Sequence, residues 1–510
     1  IYIDIFNTIY SILKNNNYIN YEISNWALKG YESTHNTNYW DNNNFLGVGP
    51  GAHSYINEIR FSNTKSPKKY IEQIGKCKNN NNLQIHNFNE FIKTINFIYD
   101  HEIITKDAKQ KEYGLAGLER PLESLVEMAC LMHDIGNPPF GHFGEAAINQ
   151  WFDKHLDALT PERCKGIGIS VIFKHLAQDI KSFEGNAQGI RIIHSLLSLN
   201  LTYSQSAGIL KYTRPASMAK KDSPQDKNYL MKKVGYYFSE KPFIEALQTE
   251  LEIEQYCRHP ASYIMEAADD ISYCLADIED AVEKGIISVE SLCEKLKEQY
   301  TRTLTNLTID DTKHSDFAEK AIDYALSKAQ EQPYNFNSEF FIYLRVTLLH
   351  PLVSYAAERF INNIEAIYHG DFNQALLEDR SHLHAVTLTL KQVALKHVFC
   401  HKEVERLELQ GYRIISGLLD CYKPLLALDA DAFKRVLKGD QNYLIETRLV
   451  KKLSNKHLNS YQKAIDALKA EPDHFAAYEF YYRCRLIQDY ISGMTDQFAY
   501  DEYRALMVID

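Results

Sequence analysis

The spacing of apolar residues becomes regular about one hundred residues into the chain. From there almost to the end, apolar positions recur every three or four residues among good helix formers, which is the pattern of amphipathic helices. This pattern predicts helices over residues 122–135, 144–152, 188–199, 264–285, 338–359, 385–398, 403–419 and 476–491. The fold class that we expect is therefore mainly α.

The first hundred residues have a different composition. They contain 20 asparagines, whereas the next hundred contain four. Residues 1–10 are apolar and β-prone, residues 47–51 form a glycine-rich turn, and residues 88–99 have helical spacing. We therefore expect a small α+β segment over residues 1–100, and since the chain begins with Ile1 rather than Met, we expect a fragment of a longer reading frame.

Composition excludes several classes of protein. Among 510 residues, 45% are hydrophobic and 24% are charged, which is typical of a globular protein. The net charge of -11 argues against a protein that coats DNA. The nine cysteines contain no C-x-x-C pair, and no run of about 18 apolar residues occurs. The chain is expected to be cytoplasmic, without a membrane span.

One apolar run ends in a histidine, an aspartate and a polar turn. His133 and Asp134 are followed by Gly136-Asn137-Pro138-Pro139, which stops a helix. Adjacent helical residues point about 100° apart, so both side chains could reach one cation beyond the helix end. Imidazole and carboxylate together suit Mn²⁺, Fe²⁺, Mg²⁺ or Zn²⁺. Alternatively, the pair is only a helix end with a hydrogen bond.

A second histidine and carboxylate follow directly. His142 comes after a Pro-Pro-Phe-Gly turn, and Glu145 lies three residues further on. The carboxylate could orient the imidazole toward a phosphate or a water, as in a proton-transfer pair. Alternatively, Glu145 is a first-turn acid that the helix dipole favours.

An acidic helix supplies a third group of polar residues. Asp269, Tyr273 and Asp277 fall at i, i+4 and i+8, on one face. The other face is apolar and consists of Ile271, Leu275, Ile278 and Val282. Such a helix could offer one cavity a metal ligand, an aromatic wall and a hydrogen-bond acceptor, although a solvated acidic face is the alternative.

Two short basic stretches, residues 211–215 and 231–237, could bind a polyphosphate. They contain Lys211, Lys232 and Lys233 beside several aromatic residues. Lysine is a common phosphate ligand. Short basic clusters are, however, often solvated faces.

From about residue 101 to the end, the chain resembles the bacterial dGTP triphosphohydrolases of the HD superfamily. The matching sequence segments are residues 130–145, 183–188, the Lys211 and Lys232 stretches, 269–280, 405–413 and 489–496. The resemblance implies an HD-domain helical core over residues 101–290 and a C-terminal helical region over residues 291–510.

The resemblance also implies a role for each candidate residue. His133, Asp134 and Asp269 would be metal ligands, and His142 with Glu145 would be the catalytic pair near the α-phosphate. The triphosphate would be held by Asn186, Lys211, Tyr212 and one of Lys232 and Lys233, with Lys233 preferred. Tyr273 would pack on the deoxyribose, Asp277 would accept from its 3′-hydroxyl, and the region of Phe399 and Glu408 would contact the base.

The reaction implied is hydrolysis of dGTP to deoxyguanosine and triphosphate. Water would attack the α-phosphorus with the help of a divalent metal, Mg²⁺ or Mn²⁺, and cationic side chains would neutralise the triphosphate. The family also implies homo-oligomers, commonly hexamers, and single-stranded DNA as an effector. Two alternatives stay open: an HD phosphohydrolase of other deoxynucleotides, and a catalytically impaired chimera that only binds nucleotide or single-stranded DNA.

The N-terminal segment resembles a different family. Residues 1 to about 100 resemble the C-terminal part of radical-SAM haem chaperones, relatives of oxygen-independent coproporphyrinogen oxidase, and the matching residues lie within 21–54. That family's C-x-x-x-C-x-x-C motif is absent here, so no iron–sulfur cluster is expected. The segment takes the place where HD enzymes carry a further metal-binding histidine. His86 and His101 are the nearby candidates to replace it, and loss of a ligand would weaken metal binding.

Overall fold

The chain divides into two compact units, Ile1–Gln84 and Ile85–Asp510. The computed structural model describes residues 119–164, 169–309, 316–332, 334–468 and 474–508, together with four short strands in the first unit. These strands form two antiparallel pairs, β1 (Tyr18–Asn20) with β2 (Trp26–Leu28), and β3 (His53–Ile56) with β4 (Ile59–Ser62). The predicted turn at residues 47–51, the predicted helix at 88–99, His86 and His101 lie outside the described residues.

Helices make up most of the second unit. Its first half contains α1 (Glu119–Met132), α2 (Gly141–Leu159), α3 (Ile169–Ile180), α4 (Gly185–Arg191), α5 (Tyr203–Ile209), α6 (Lys241–Glu250) and α7 (Pro260–Glu283). A π-helical turn, Ile192–Leu196, extends α4. Two short parallel strands, β5 (Arg214–Pro215) and β6 (Val234–Tyr236), lie between α5 and α6 in the sequence.

The second half of this unit is helical as well. It contains α8 (Val289–Asn306), α9 (Phe317–Gln330), α10 (Phe336–Asn362), α11 (Ile364–Tyr368), α12 (His382–Val393), α13 (Lys402–Ala427), α14 (Ala430–Leu437), α15 (Leu444–Lys452), α16 (Asn455–Ala467), α17 (Phe475–Ser492) and α18 (Asp496–Met507). A second π-helical turn, Ala394–Val398, continues α12.

The mainly α prediction is confirmed, and a helix lies at each of the eight predicted places. Several predicted boundaries differ from the observed ones, and the difference that matters for the candidate site is that α1 ends at Met132 and not at residue 135. His133 and Asp134 therefore lie in the turn after α1. The turn brings Gly136 against α4, where a Cβ atom on Gly136 would lie 2.0 Å from the Gly185 carbonyl oxygen. Only a glycine permits that approach.

The described part of the second unit contains four hydrophobic clusters, of which two are large cores. The larger is formed mainly by α7, α8, α9, α10 and α12, and includes Ile271, Leu275 and Ile278. The other joins α2 and α3 to α13 and α17, with Phe152 and Ile487 fully buried. Because α1 packs against α7 while α2 packs against α13, the turn between α1 and α2 connects the two cores.

The long helix α10 is apolar enough to span a membrane, judged by length and composition alone. Phe340, Leu344, Leu348 and Leu352 are nevertheless buried in the larger core. A core helix of a globular protein passes the same test, so this helix is weak support for a membrane span.

A buried ion-pair network joins α4 to α17. Arg191 donates from Nε to Asp489 Oδ1 at 2.8 Å and from Nη2 to Asp489 Oδ2 at 2.7 Å. Gln188 donates to the same carboxylate at 3.0 Å, and Arg191 also pairs with Glu240 at 2.9 Å. Since all four side chains are buried, these charges are stable only as a complete set.

Replacing Asp489 by alanine tests that network. We expect Asp489→Ala to lower the free energy of unfolding by about 3–5 kcal/mol, because Arg191 keeps a buried charge with only part of its partners. The measurement is the denaturant midpoint of helix loss. Asp501→Ala, at an exposed carboxylate of α18, is the control; equal midpoints for the two variants would contradict the assignment.

Candidate active site

His133 is held at the end of α1 by three polar groups. Its Nδ1 donates to the Cys130 carbonyl oxygen at 2.6 Å. Its Nε2 lies 3.2 Å from Asp269 Oδ1 and 3.3 Å from Asp134 Oδ2. Hydrogen bonding to Asp134 and then to Asp269 raises the pKa of His133 to about 10. The structure thus brings together the three predicted metal ligands, two from the turn after α1 and one from α7.

Lys211 reaches the same place from the other side. Its Nζ donates to Asp269 Oδ2 at 3.2 Å and lies 4.0 Å from Glu266 Oε1. Burial alone would raise the pKa of Asp269, but hydrogen bonding from His133 and the charge of Lys211 lower it. Asp269 is therefore a carboxylate at neutral pH.

The donor set suits a divalent cation in part. The Nδ1 proton of His133 is fixed on a backbone carbonyl, and this hydrogen bond directs Nε2 toward the carboxylates of Asp134 and Asp269. A bound cation would take the place of the Nε2 proton. Asp134 is about half exposed, so the side open to solvent could admit an ion and a phosphate oxygen. Nevertheless, among the described residues no group of three or more His, Cys, Asp or Glu side chains is already arranged to hold a metal.

His142 and Glu145 form the predicted pair. His142 Nδ1 lies 2.9 Å from Glu145 Oε2, while Glu145 Oε1 accepts from the Gly185 backbone N–H at 2.7 Å. Glu145 is buried, whereas His142 is 79% exposed and open to a substrate. Hydrogen bonding to Glu145 raises the pKa of His142, so the imidazole is more often protonated near neutral pH.

Glu184 is a site residue that the sequence argument missed. Its Oε1 accepts from Lys233 Nζ and from Asn186 Nδ2, each at 3.0 Å. Burial and then the charge of Glu145 raise the pKa of Glu184. Lys233 and Asn186 thus lie together near the catalytic pair. The available signal was a carboxylate directly before the glycine that begins α4.

The short parallel strands bring the two basic stretches together. Thr213 N–H donates to the Leu230 carbonyl at 2.9 Å, and a Cβ on Gly235 would lie 1.7 Å from the Tyr212 carbonyl oxygen. Lys232 and Lys233 therefore lie beside Tyr212 at the end of these strands. The Lys232 ammonium is 5.4 Å from the centre of the Tyr212 ring.

A buried cluster behind Lys232 was also missed. Glu266 accepts from Tyr229 Oη at 2.8 Å and from Arg258 Nη1 at 2.7 Å. The Lys232 ammonium lies 3.9 Å from the centre of the Tyr229 ring. Burial lowers the pKa of Lys232. The charge of Glu266 opposes this shift, and the charges of Lys211 and Arg258 add to it. In the sequence, Glu266 is one acid among several on α7, and no spacing pattern relates it to Arg258.

The outer face of α7 agrees with the sequence pattern. Tyr273 is 58% exposed, whereas Ile271 and Leu275 are buried. Burial raises the pKa of Tyr273, and so do Asp277, Asp134 and Asp269, which places its hydroxyl in the field of the ligand cluster. Burial and then Asp280 raise the pKa of Asp277 to about 6.

Glu408 lies on α13. Burial, and then Glu405, raises its pKa. Gly411, one turn later, packs on Phe140, where an added Cβ would lie 2.4 Å from the Phe140 Cβ. Phe399 packs against the larger core. The contacts described for the other candidate residues include neither Glu408 nor Phe399, so their base-binding role stays a prediction.

Comparison with known proteins indicates the family to which the chain belongs. A family model described as a phosphohydrolase-associated domain matches residues 441–505. The protein named "Probable deoxyguanosinetriphosphate triphosphohydrolase" of Pseudomonas aeruginosa is 51% identical over 401 residues, 78% of this chain and 80% of that protein. The deoxyguanosinetriphosphate triphosphohydrolase of Serratia proteamaculans is 49% identical over 424 residues, 79% of this chain and 82% of that protein.

The helical fold and the associated domain define a phosphohydrolase of the HD class. Within that class, the chain belongs to the deoxyguanosinetriphosphate triphosphohydrolase family. Membership implies a divalent metal ion without indicating which one. The predicted resemblance of the C-terminal four fifths of the chain to dGTP triphosphohydrolases is confirmed. These matches do not support the predicted resemblance of residues 1–100 to haem chaperones.

Removing the Glu145 charge tests the electrostatics of the pair. We expect Glu145→Gln to lower the pKa of His142 toward the ordinary value of 6.5, because the hydrogen bond to Glu145 is the main cause of the rise. In the wild type the protonated imidazole stabilises the fold below pH 6.5, and this stabilisation is lost as the pH rises through the raised pKa.

The measurement is an NMR titration of ¹³C-labelled histidine. His155, whose pKa burial lowers, is an internal control that should not move. An unchanged His142 titration in Glu145→Gln would refute the assigned interaction.

Proposed function

We propose that this chain hydrolyses dGTP to deoxyguanosine and triphosphate. The observation that carries the proposal is the convergence of His133, Asp134 and Asp269 on one side and of Lys211 on another. Two relatives about 50% identical over most of the chain carry that activity in their names. A carboxylate–imidazole cluster beside lysines suits a polyphosphate substrate.

His133, Asp134 and Asp269 would hold the divalent ion, for which Mg²⁺ and Mn²⁺ are the proposed identities. When bound, the ion supplies a Lewis acid for the α-phosphate and lowers the pKa of water. The Nδ1 hydrogen bond to the Cys130 carbonyl would keep the His133 ring in the ligand orientation. Lys211, bonded to Asp269, would exchange that contact for a phosphate oxygen when substrate binds.

In this proposal His142 handles the proton at the α-phosphate. The Glu145 carboxylate stabilises the protonated imidazole of His142. Its other oxygen accepts from the Gly185 N–H, and this second hydrogen bond fixes the orientation of the carboxylate. The exposed imidazole could then protonate the 5′-oxygen of deoxyguanosine as the bond from that oxygen to phosphorus breaks. The raised pKa of His142 increases the share of the acid form at a given pH.

Further residues would bind the rest of the nucleotide. The triphosphate would be held by Asn186, Lys233 and Tyr212, together with Lys232. Lys233 and Asn186 lie close together because both donate to the carboxylate of Glu184. Tyr273 and Asp277 would contact the deoxyribose, since both lie on the less buried face of α7. A packed tyrosine leaves no room for a 2′-hydroxyl.

The finer expectations from the family belong to the same proposal. They are a homo-oligomer, commonly a hexamer, single-stranded DNA as an effector, and a cytoplasmic location. Catalytic impairment, and action on other deoxynucleotides, are outcomes that the following experiment separates from the proposed reaction.

Triphosphate release is the direct test. The chain is incubated with dGTP and either Mg²⁺ or Mn²⁺, beside Asp134→Ala and the matched control Glu127→Ala, an exposed carboxylate of α1. We expect the control to equal the wild type and Asp134→Ala to lose about 100-fold or more, because even outer partners of metal ligands are worth 10–100-fold. Equal, background-level release from all three would refute the activity.

Tyr273 sets the preference for deoxyribose if the proposal is right. We expect Tyr273→Ala to narrow the ratio of kcat/KM for dGTP over GTP by about 10-fold or more, because the wall against the 2′-hydroxyl is removed. Tyr324→Ala, at another exposed tyrosine outside the site, should leave the ratio unchanged. If the ratio of kcat/KM for dGTP over GTP is unchanged in Tyr273→Ala, another residue determines the selectivity for deoxyribose.

A further inference from the structure

The turn before His142 has an unusual backbone conformation. Phe140 has φ +62° and ψ +22°, and Gly141 has φ +54°. Two successive residues are therefore left-handed. Glycine adopts this conformation freely, but a bulky aromatic residue rarely does unless its surroundings enforce it. His142 follows directly, so this turn determines where the first turn of α2 presents its imidazole.

Two contacts from distant helices enforce the conformation. The Phe140 backbone N–H donates to Asp496 Oδ1 at 2.9 Å. The Phe140 side chain packs on Gly411 of α13, where any Cβ would collide with it. Within the turn, Gly141 N–H donates to the Pro138 carbonyl at 3.1 Å. The hydrogen bond to Asp496 is thus the polar contact that fixes the strained peptide from outside.

Asp496 is free to serve this turn because another residue caps its helix. Asp496 is the first residue of α18, and the hydroxyl of Thr495 accepts from the Phe498 N–H at 3.2 Å. Asp496 is exposed, and α18 packs on α13. It also lies within residues 441–505, the phosphohydrolase-associated domain. The domain therefore reaches the catalytic turn through one carboxylate.

We propose that Asp496 is a positioning residue for His142. The inference rests on the proposed function, in which His142 is the proton donor. Asp496 acts through the Phe140 peptide and does not touch the substrate. Without this acceptor, Phe140 relaxes toward an ordinary conformation, and the N-terminus of α2 moves with it. Displacements of about 1 Å at a catalytic group cost large factors in rate, up to about 100-fold.

The test compares three variants of the full chain. Asp496→Ala removes the acceptor, and Asp496→Asn keeps an oxygen acceptor at the same place. Asp501→Ala removes an exposed carboxylate of the same helix, which accepts from Gln497 at 3.0 Å and, within the described ranges, has no acceptor role toward another helix. We expect Asp496→Ala to lower kcat about 10-fold with KM for dGTP nearly unchanged. Asp496→Asn should retain most of kcat, and Asp501→Ala all of it.

A purely structural role would not produce this pattern. It would lower thermal stability, or raise KM while it lowers kcat, and Asp496→Asn would not restore kcat. Equal kcat in Asp496→Ala and Asp501→Ala, or equal losses in Asp496→Ala and Asp496→Asn, would overturn the proposal.

A second measurement separates this proposal from the proposed function. The NMR titration of His142 does not require turnover. Positioning by Asp496 predicts a changed His142 resonance and pKa in Asp496→Ala, and no change in Asp501→Ala, even if the wild type releases no triphosphate. An unchanged His142 signal refutes positioning, whereas absent turnover with a changed signal refutes only the proposed function.

Discussion

The carboxylate of Glu145 is the contact on which the candidate site depends. One oxygen bonds to His142 and the other accepts the first backbone N–H of α4, so a single buried group connects α2, α4 and the exposed imidazole. A buried carboxylate is stable only when both oxygens have partners. The requirement to satisfy Glu145 therefore fixes the distance between His142 and the segment that carries Glu184 and Asn186.

The rest of the second unit keeps α4 in place. At its start, a Cβ atom on Gly136 would collide with the Gly185 carbonyl oxygen, and one on Gly185 would lie 2.4 Å from Asn137 Oδ1. At its end, Arg191 is held between Asp489 and Glu240. The C-terminal region thus supports the site through buried charges, and a catalytic constellation built on packed helices is positioned more accurately than one on loops.

Periodicity predicted the helices well because burial of an apolar face determines where each helix forms. The α7 face with Asp269 and Tyr273 followed from the same rule. The end of α1 was wrong because the contact between Gly136 and α4 is long-range and leaves no periodic signal. Glu184 and the Arg258–Glu266 pair were missed for a related reason, since their partners are distant in sequence or indistinguishable from neighbouring acids.

The roles of the residues depended on resemblance more than on spacing. A His-Asp dipeptide alone predicts a helix end as readily as a metal site. The structure places His133 against both Asp134 and Asp269 without specifying an ion. The haem-chaperone resemblance covered residues largely outside the described ranges, and the relatives do not support it. The chemistry of the site therefore has to be tested through its products.

Isotope transfer from water tests the central claim most directly. The wild-type chain is incubated with dGTP and the divalent metal in H₂¹⁸O, and both products are analysed by mass spectrometry. Attack at the α-phosphorus predicts one ¹⁸O atom in the released triphosphate and none in deoxyguanosine. Label in deoxyguanosine, or release of pyrophosphate with dGMP, would contradict the account.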